Sequence, residues 1–279
     1  MLFIFLLVFI FIFTIILFYI YHKYNYIVTE KFHNKKIACI TSIYGNYDNL
    51  KTPNIKNMDK VDWFCFTDND KLNNNVWKII TKKYHLINNN NILHKQYKNN
   101  YDNITDARVY NMMCAKYYKI KTHEIDILQD YDYYIWIDGS IILQDDFIIN
   151  IMKLIDEETN LINFKHSCRD NIRDEVILSL QMKKYDNQNL EIQYNDYINS
   201  GFTDDIGLYE NTVIIKKNTP DINNLFNNWW IHNLEYSYQD QISYPYVLWK
   251  ANIIPNIINE NVFNNKDYTY SDFSLMSNH

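Results

Sequence analysis

The segment that most constrains the fold is a short apolar run that ends at one carboxylate. Residues 133–137 read Tyr-Tyr-Ile-Trp-Ile, and this aromatic and β-branched composition is typical of an interior strand. Asp138 follows the run, and Gly139 then permits a sharp turn or the close approach of a ligand to the backbone. In open α/β sheets, ligands bind outside the carboxyl ends of the strands. Asp138 is therefore either a ligand-binding carboxylate or, with equal support from this pattern alone, a cap of the following turn.

Strand-like and helix-like segments alternate along the chain. Short apolar runs predict strands at residues 37–43, 61–67, 76–80, 133–137, 161–164, 212–216 and 251–255. Apolar spacing near 3.6 residues predicts helices at residues 106–121, 174–183, 221–236 and 239–249. Asp145 and Asp146 mark a further helix start, and a long Asn-rich loop is predicted at residues 85–103. This order predicts an α/β fold with a mixed, mainly parallel sheet between helices.

Glycine marks the loops that matter in this chain. The 279 residues contain only four glycines, namely Gly45, Gly139, Gly201 and Gly207. An average glycine usage of about 7 % would give several times as many. Gly45 follows the first predicted strand, and Asp68 follows the second. Because the carboxyl ends of parallel strands meet at one edge of a sheet, we expect these loops to lie beside Asp138 and to form a ligand crevice.

Charge and cysteine content argue against two classes of function. A formal net charge of −6 and a pI near 5.7 give no basic surface, so no nucleic-acid partner is expected. The four cysteines are far apart and form no C-x-x-C pair. This spacing favours buried thiols over a zinc site.

The N-terminus carries an uncharged apolar run. Residues 2–21 are long enough, at about 1.5 Å per residue, to cross a hydrocarbon core of ~30 Å. No basic residue precedes the run and no small-residue cleavage site follows it, which predicts an uncleaved signal anchor at residues 1–21. A polar stalk at 22–35, a soluble domain at 36–258 and a polar, loosely ordered tail at 259–279 are expected after it. Lysines after the anchor favour a cytosolic domain, whereas a lumenal enzyme would have the opposite topology.

A passage at residues 164–175 concentrates chemistry-bearing side chains. His166 is a candidate metal ligand, and Arg169 and Arg173 are candidate phosphate ligands, since guanidinium groups bind phosphate bidentately. A capped helix start with surface ion pairs explains the same pattern equally well.

A second candidate region lies at residues 229–246. Asp240 stands there between two glutamines and near several aromatic residues, an arrangement typical of carbohydrate contact. Buried tryptophans in an amphipathic helix, with Asp240 as a capping residue, are the alternative. Upstream, Glu210 is either a ligand of a sugar hydroxyl or, slightly better supported, a residue at the sheet edge.

Several of these segments, taken in order, resemble one family. The motifs are Thr-Ser-Ile-Tyr-Gly-Asn-Tyr-Asp at 41–48, Phe-Cys-Phe-Thr-Asp-Asn at 64–69, Tyr-Tyr-Lys-Ile at 117–120, Tyr-Ile-Trp-Ile-Asp-Gly-Ser at 134–140, Phe-Lys-His at 164–166, Arg169, Asp174-Glu175, Gln-Asp-Gln at 239–241 and Pro-Tyr-Val-Leu-Trp at 245–249. They are similar to the glycosyltransferase-like domain family, long described as a domain of unknown function. Plant members act in mucilage and cell-wall polysaccharide synthesis, and one was described as an alkaline ceramidase. The resemblance covers residues 36–255.

The resemblance implies a GT-A-like nucleotide-sugar transferase with an Asp-x-Asp-like motif. Carboxylates of that motif hold Mn²⁺ or Mg²⁺ against the donor diphosphate in such enzymes. Here the motif reads Asp138-Gly139-Ser140, so the second carboxylate is absent, and His166 or water would complete the metal site.

Further roles follow from the resemblance only. Tyr44, Gly45 and Asp68 would contact the nucleotide, and Lys119 or Arg108 would face its phosphates. Asp240 would contact the acceptor and act as the base of an inverting reaction. The remaining substrate-binding candidates are Arg169, Asp174, Glu175, Trp230 and Gln241. The sequence departs from the family pattern at Asn171 and Arg173.

The resulting prediction is a membrane-anchored glycosyltransferase. It would use a nucleotide-sugar donor, with a UDP sugar expected, and a glycan or glycoconjugate acceptor. From the resemblance, a single-pass type II protein of the Golgi or endoplasmic reticulum is expected. The alternatives are a catalytically inactive module that binds a glycan or a nucleotide sugar and, with less support, a metal-dependent lipid amide hydrolase of the ceramidase kind.

Overall fold

The N-terminal apolar segment forms one long helix, α1 (Leu2–Lys31). The computed structural model describes residues 2–31, 35–82, 107–156, 158–186, 188–258 and 268–270, so the loop predicted at 85–103 lies outside the described residues. Within α1, Phe5–Lys23 is long and apolar enough to cross a membrane, and none of it is buried. The helix continues through most of the segment that we predicted to be a stalk.

The described residues contain nine strands. These are β1 (Ile37–Ile43), β2 (Asp62–Thr67), β3 (Lys78–Thr81), β4 (Tyr133–Ile137), β5 (Ile141–Leu143), β6 (Leu161–Lys165), β7 (Tyr209–Lys217), β8 (Asn256–Ile258) and β9 (Tyr268–Tyr270). Seven of them form one sheet in the order β3–β2–β1–β4–β7–β6–β8, and β5 pairs with β9 separately.

The predicted mixed, mainly parallel sheet is confirmed. β1 pairs in parallel with β2 and β4, and β2 pairs in parallel with β3. β7 lies antiparallel between β4 and β6, whereas β8 is parallel to β6. The carboxyl ends of β1, β2 and β4 therefore meet at one edge of the sheet, where the sequence predicts a crevice.

Six further helices cover the sheet within the described residues. Their bounds are α2 (Ala107–Ile120), α3 (Phe147–Leu154), α4 (Ile172–Ser179), α5 (Leu190–Asn199), α6 (Pro220–Glu235) and α7 (Asp240–Ala251). Asn171 caps α4 by accepting a bond from the backbone of Asp174, and Thr219 caps α6 ahead of a proline at its first turn. Asn252 adopts a left-handed conformation, which ends α7.

Side chains alternate between two apolar cores on the two faces of the sheet. Tyr134 and Trp136 of β4 belong to the core shared with α2 and α4–α7, whereas Ile135 and Ile137 belong to the core shared with α3. A strand buried on both faces reads as a continuous apolar run, which explains the composition of β4.

Four local expectations differ from the structure. A strand was predicted at residues 251–255, but α7 extends to Ala251 and β8 begins at Asn256. The helix predicted at residues 174–183 begins at Ile172 and ends at Ser179. Helix α5 was not predicted, and β9 forms within the segment that we expected to be a loose tail.

Candidate functional site

The loops after β1 and β2 are tied together at the sheet edge. The backbone N–H of Gly45 donates to both carboxylate oxygens of Asp68, at 3.1 and 3.2 Å. Gly45 has φ +64°, and a Cβ there would lie 2.0 Å from Nδ2 of Asn111 on α2. Tyr44 is buried, stacks on Tyr118 and donates its hydroxyl to the carbonyl of Lys82 at 2.9 Å. Tyr44, Gly45 and Asp68, which the resemblance assigns to nucleotide contact, therefore also stabilise the conformation of the loop after β1.

Asp138 lies at the end of β4, as predicted, and one of its carboxylate oxygens is engaged. Oδ1 accepts a hydrogen bond from the indole N–H of Trp136 at 2.5 Å and lies 3.7 Å from Nζ of Lys119. The side chain remains 32 % exposed. Burial raises the pKa of the Asp138 carboxyl, and Lys119 opposes that shift. A partly exposed carboxylate beside a cation is suited to contact a ligand.

Two lysines on α2 and Asp240 on α7 complete a buried charge cluster. Lys116 and Lys119 are three residues apart, so they share one face of the helix. Their Nζ atoms lie 2.9 and 2.8 Å from Oδ2 of Asp240. Burial lowers the pKa of Lys116 despite Asp240, whereas the carboxylates of Asp138 and Asp240 overcome the effect of burial at Lys119 and raise its pKa.

The geometry of Asp240 does not fit the role of general base. Asp240 is only 4 % exposed. Burial alone would raise its pKa, but the ammonium groups of Lys116 and Lys119 lower it to about 2. A carboxylate held by two cations has little affinity for a further proton at neutral pH. Asp240 instead binds both lysines, and Lys119 in turn lies 3.7 Å from Asp138.

A second carboxylate, which the sequence analysis did not select, lies beside Asp138. The Cβ and Oδ2 atoms of Asp48 each lie 3.0 Å from the point where a Cβ of residue 139 would stand. Burial, and then the nearby charge of Asp138, raises the pKa of Asp48 to about 6 despite Lys51. The signal was present in the sequence, because Asp48 closes the polar turn after the first predicted strand.

A pocket of about 170 Å³ opens next to Asp138 and Gly139. Trp77, Lys51 and Thr41 contribute to its wall. The hydroxyl of Thr41 is buried and has no hydrogen-bond partner among the described residues. An unsatisfied buried hydroxyl in a pocket wall is suited to bind a polar ligand atom.

The passage after β6 is a hydrogen-bonded unit of its own. Nδ1 of His166 accepts from the backbone N–H groups of Cys168 and Arg169, both at 3.1 Å, and Nη2 of Arg169 lies 3.1 Å from Nε2. Burial and the Arg169 charge lower the pKa of His166 to about 4. Because both ring nitrogens are engaged and a guanidinium lies alongside, His166 does not fit the predicted role of a metal ligand beside Asp138.

Most of the remaining residues predicted to bind substrate form hydrogen bonds within the segment after β6 or pack in the apolar core. Arg169 donates its Nε–H to Glu175 at 2.6 Å, and Glu175 accepts from Gln239 at 2.5 Å. Gln241 donates to the carbonyl of Tyr209 at 3.1 Å. Trp230 is buried against Tyr117, Asp174 is exposed and accepts from Asn171, and Arg108 lies 3.5 Å from the carbonyl of Lys183.

Among the residues chosen from the sequence, the fold thus brings Asp138, Lys119 and Asp240 into direct contact. Within the described ranges, no group of three or more His, Cys, Asp or Glu side chains is arranged to hold a metal ion. A pair of carboxylates, with substrate oxygens, remains a suitable donor set for Mg²⁺ or Mn²⁺.

The fold and the site are those of a ligand-binding α/β domain. Its mainly parallel sheet brings carboxylates and lysines beside a pocket at the strand ends. The chain belongs to the TOD1/MUCI70 glycosyltransferase-like domain family, whose model matches residues 25–279. The resemblance inferred from the motifs is thereby confirmed. None of the curated proteins compared with the chain matches it.

Proposed function

We propose that this protein is a membrane-anchored glycosyltransferase. It transfers a sugar from a nucleotide-sugar donor, with a UDP sugar as the expected donor, to a glycan or glycoconjugate acceptor. Helix α1 supplies the anchor, since Phe5–Lys23 has the length and hydropathy of a membrane span. The observation that carries the proposal is the lysine pair bound by Asp240, of which Lys119 lies 3.7 Å from Asp138 at the carboxyl end of β4.

The lysine pair suits the chemistry of a diphosphate leaving group. Negative charge builds on the diphosphate as the bond to the sugar breaks, and fixed cations in a partly buried site stabilise that charge without reorganisation. Lys119 is 5 % exposed at its side chain, and Asp240 holds it at 2.8 Å. The lysines are therefore oriented before the donor binds, which lowers the entropic cost of binding.

The pocket beside Asp138 is the proposed site of the base of the donor's nucleoside. Its wall combines the indole of Trp77 with the buried hydroxyl of Thr41. Its volume of about 170 Å³ is suited to one ring system rather than a whole nucleotide sugar. The diphosphate would then lie over Asp138 and Gly139, toward Lys119.

A divalent cation fits this arrangement through Asp138. Mg²⁺ or Mn²⁺ prefers oxygen ligands and is often held by one or two carboxylates together with substrate phosphates. When bound, such a cation would neutralise charge on the leaving diphosphate.

The proposal is tested by release of UDP from a panel of UDP sugars, measured with the full-length protein in detergent. Lys119→Met keeps the length of the side chain and removes the charge. We expect it to lower turnover about 10²–10³-fold, the usual cost of losing one group that stabilises transition-state charge. Lys60→Met is the matched control, because Lys60 is exposed and, among the residues that the structure describes, forms an ion pair with Asp59 alone. Full turnover in Lys119→Met would contradict the proposal.

A catalytically inactive module is the second candidate. Two observations favour it, namely Ser140 in place of a second motif carboxylate and the low pKa of Asp240. Such a module would bind UDP sugars in isothermal titration calorimetry but release no UDP over long incubation with any acceptor. Measurable turnover that depends on Lys119 would exclude it.

A further inference from the structure

The fold places a carboxylate from a distant loop beside Asp138. Asp48 belongs to the turn after β1, and its side chain packs against the backbone of Gly139, 3.0 Å from where a Cβ would stand. A Cβ at position 139 would force the Asp48 side chain to shift by a few tenths of an ångström. The absence of a side chain at Gly139 thus leaves the space in which the Asp48 carboxylate lies beside Asp138.

We propose that Asp48 and Asp138 together bind one divalent cation, Mg²⁺ or Mn²⁺, with Asp48 in the role that the second carboxylate of an Asp-x-Asp motif would have. The inference rests on the proposed function, because the cation would serve the donor diphosphate. Oδ1 of Asp138 is engaged by Trp136 and faces Lys119, whereas its Oδ2 has no hydrogen-bond donor within the described part of the chain. That oxygen is therefore available to a cation.

The charge balance of the cluster supports a cation. Three lysines, Lys51, Lys116 and Lys119, lie among three carboxylates, those of Asp48, Asp138 and Asp240, so the formal charges of the cluster cancel. A cluster without net charge attracts an anionic diphosphate only weakly. One divalent cation would make the cluster net positive and therefore attractive to the donor.

The wall of the adjoining pocket gives an independent sign of a ligand. Thr41 is 1 % exposed, its hydroxyl has no partner among the described residues, and it lines the same pocket as Asp138 and Gly139. A buried polar atom without a partner costs free energy unless a ligand or water satisfies it. The carboxylate pair therefore borders a space that is suited to polar ligand atoms.

The experiment is a Mn²⁺ titration of the full-length protein in detergent, followed by the electron paramagnetic resonance signal of free Mn²⁺, with and without UDP. We expect wild type to bind one Mn²⁺. Asp48→Asn and Asp138→Asn should each weaken binding by at least about tenfold. Asp59→Asn is the matched control, since Asp59 is exposed and its ion pair within the described ranges is with Lys60. Wild-type affinity in Asp48→Asn would overturn the inference.

Two further measurements distinguish loss of the cation site from loss of the fold. Asp48→Asn removes a charge next to Asp138, so its melting temperature in EDTA should equal or exceed that of wild type. Gly139→Ala adds a Cβ 3.0 Å from the Asp48 side chain and should also weaken Mn²⁺ binding without removing a carboxylate. If both variants are folded and bind Mn²⁺ normally, the site does not exist.

The two proposals fail in different ways. A wild-type protein that binds UDP in EDTA but takes up no Mn²⁺, with UDP present or absent, overturns the cation site and leaves the glycosyltransferase proposal standing. A protein that binds Mn²⁺ through Asp48 and Asp138 but binds no UDP or UDP sugar keeps the cation site and overturns the proposed function.

Discussion

Replacement of Asp240 by Asn is the sharpest test of the buried charge cluster. The side chain of Asp240 is 6 % exposed, and its Oδ2 lies 2.9 Å from Lys116 and 2.8 Å from Lys119. Asn is nearly the same size but carries no charge. The change therefore leaves two ammonium groups in a buried site without the carboxylate that binds them both.

The magnitude follows from the pKa and from the partners that remain. A pKa lowered from 3.8 to about 2 corresponds to about 2 kcal/mol of stability at neutral pH. Loss of one partner from a buried ion pair costs about 3–5 kcal/mol, because the other charge stays buried. Lys119 retains Asp138 at 3.7 Å, so we expect the lower end, about 3 kcal/mol. This corresponds to a fall in melting temperature of roughly 6–12 °C.

The sign of the pH dependence is fixed by the direction of the pKa shift. Because the pKa of Asp240 is lower in the folded state, its stabilisation is present above about pH 4 and is lost as the pH falls toward 2. The stability difference between wild type and Asp240→Asn should therefore narrow below pH 4. Urea unfolding followed by circular dichroism at several pH values measures this difference.

Asp146→Asn is the control, since Asp146 forms an exposed pair with Lys56 at 3.1 Å. Loss of an exposed pair costs less than about 1 kcal/mol. An Asp240→Asn protein as stable at pH 7 as the Asp146→Asn control would refute the argument that Asp240 holds the two lysines.

Two further predictions concern the surroundings of the site. Gly45→Ala should destabilise the protein by more than about 1 kcal/mol, because φ is +64° and the new Cβ would lie 2.0 Å from Asn111. A melting temperature within about 1 °C of that of wild type would contradict this expectation. The pKa of His166 is lowered from 6.5 to about 4 by burial and by Arg169, so wild type should lose about 2 kcal/mol of stability between pH 7 and pH 5 through this group. His166→Asn keeps a hydrogen-bond acceptor but does not titrate, and urea unfolding at the two pH values should show a correspondingly smaller loss; an unchanged pH dependence would count against the assignment.

The fold class could be predicted because it depends on local patterns. The apolar runs of β1, β2 and β4 and the apolar length of α1 are properties of single segments, and the structure contains all four. Helix α5 was missed because its buried face includes Gln193. That side chain donates to Tyr197 and accepts from Ser237 within the core, so the apolar periodicity that marks a helix is interrupted.

The candidate site was predictable only in part. The strand-end position of Asp138 follows from the run before it, and its exposure to a pocket agrees with that position. The roles of His166 and Asp240 depended on partners that the sequence does not specify. His166 proved to be enclosed by Arg169 and backbone N–H groups, and Asp240 by two lysines.

The sequence by itself determined that a carboxylate ends the central strand and that an apolar helix precedes the domain. Only the tertiary structure decided which charges surround that carboxylate. Asp48, Lys119 and Asp240 come from three distant parts of the chain, and packing brings them to one sheet edge. Coulomb energies and desolvation depend on distance and burial in space rather than on separation in sequence. The properties of Asp138 and its neighbours are for that reason set by the fold.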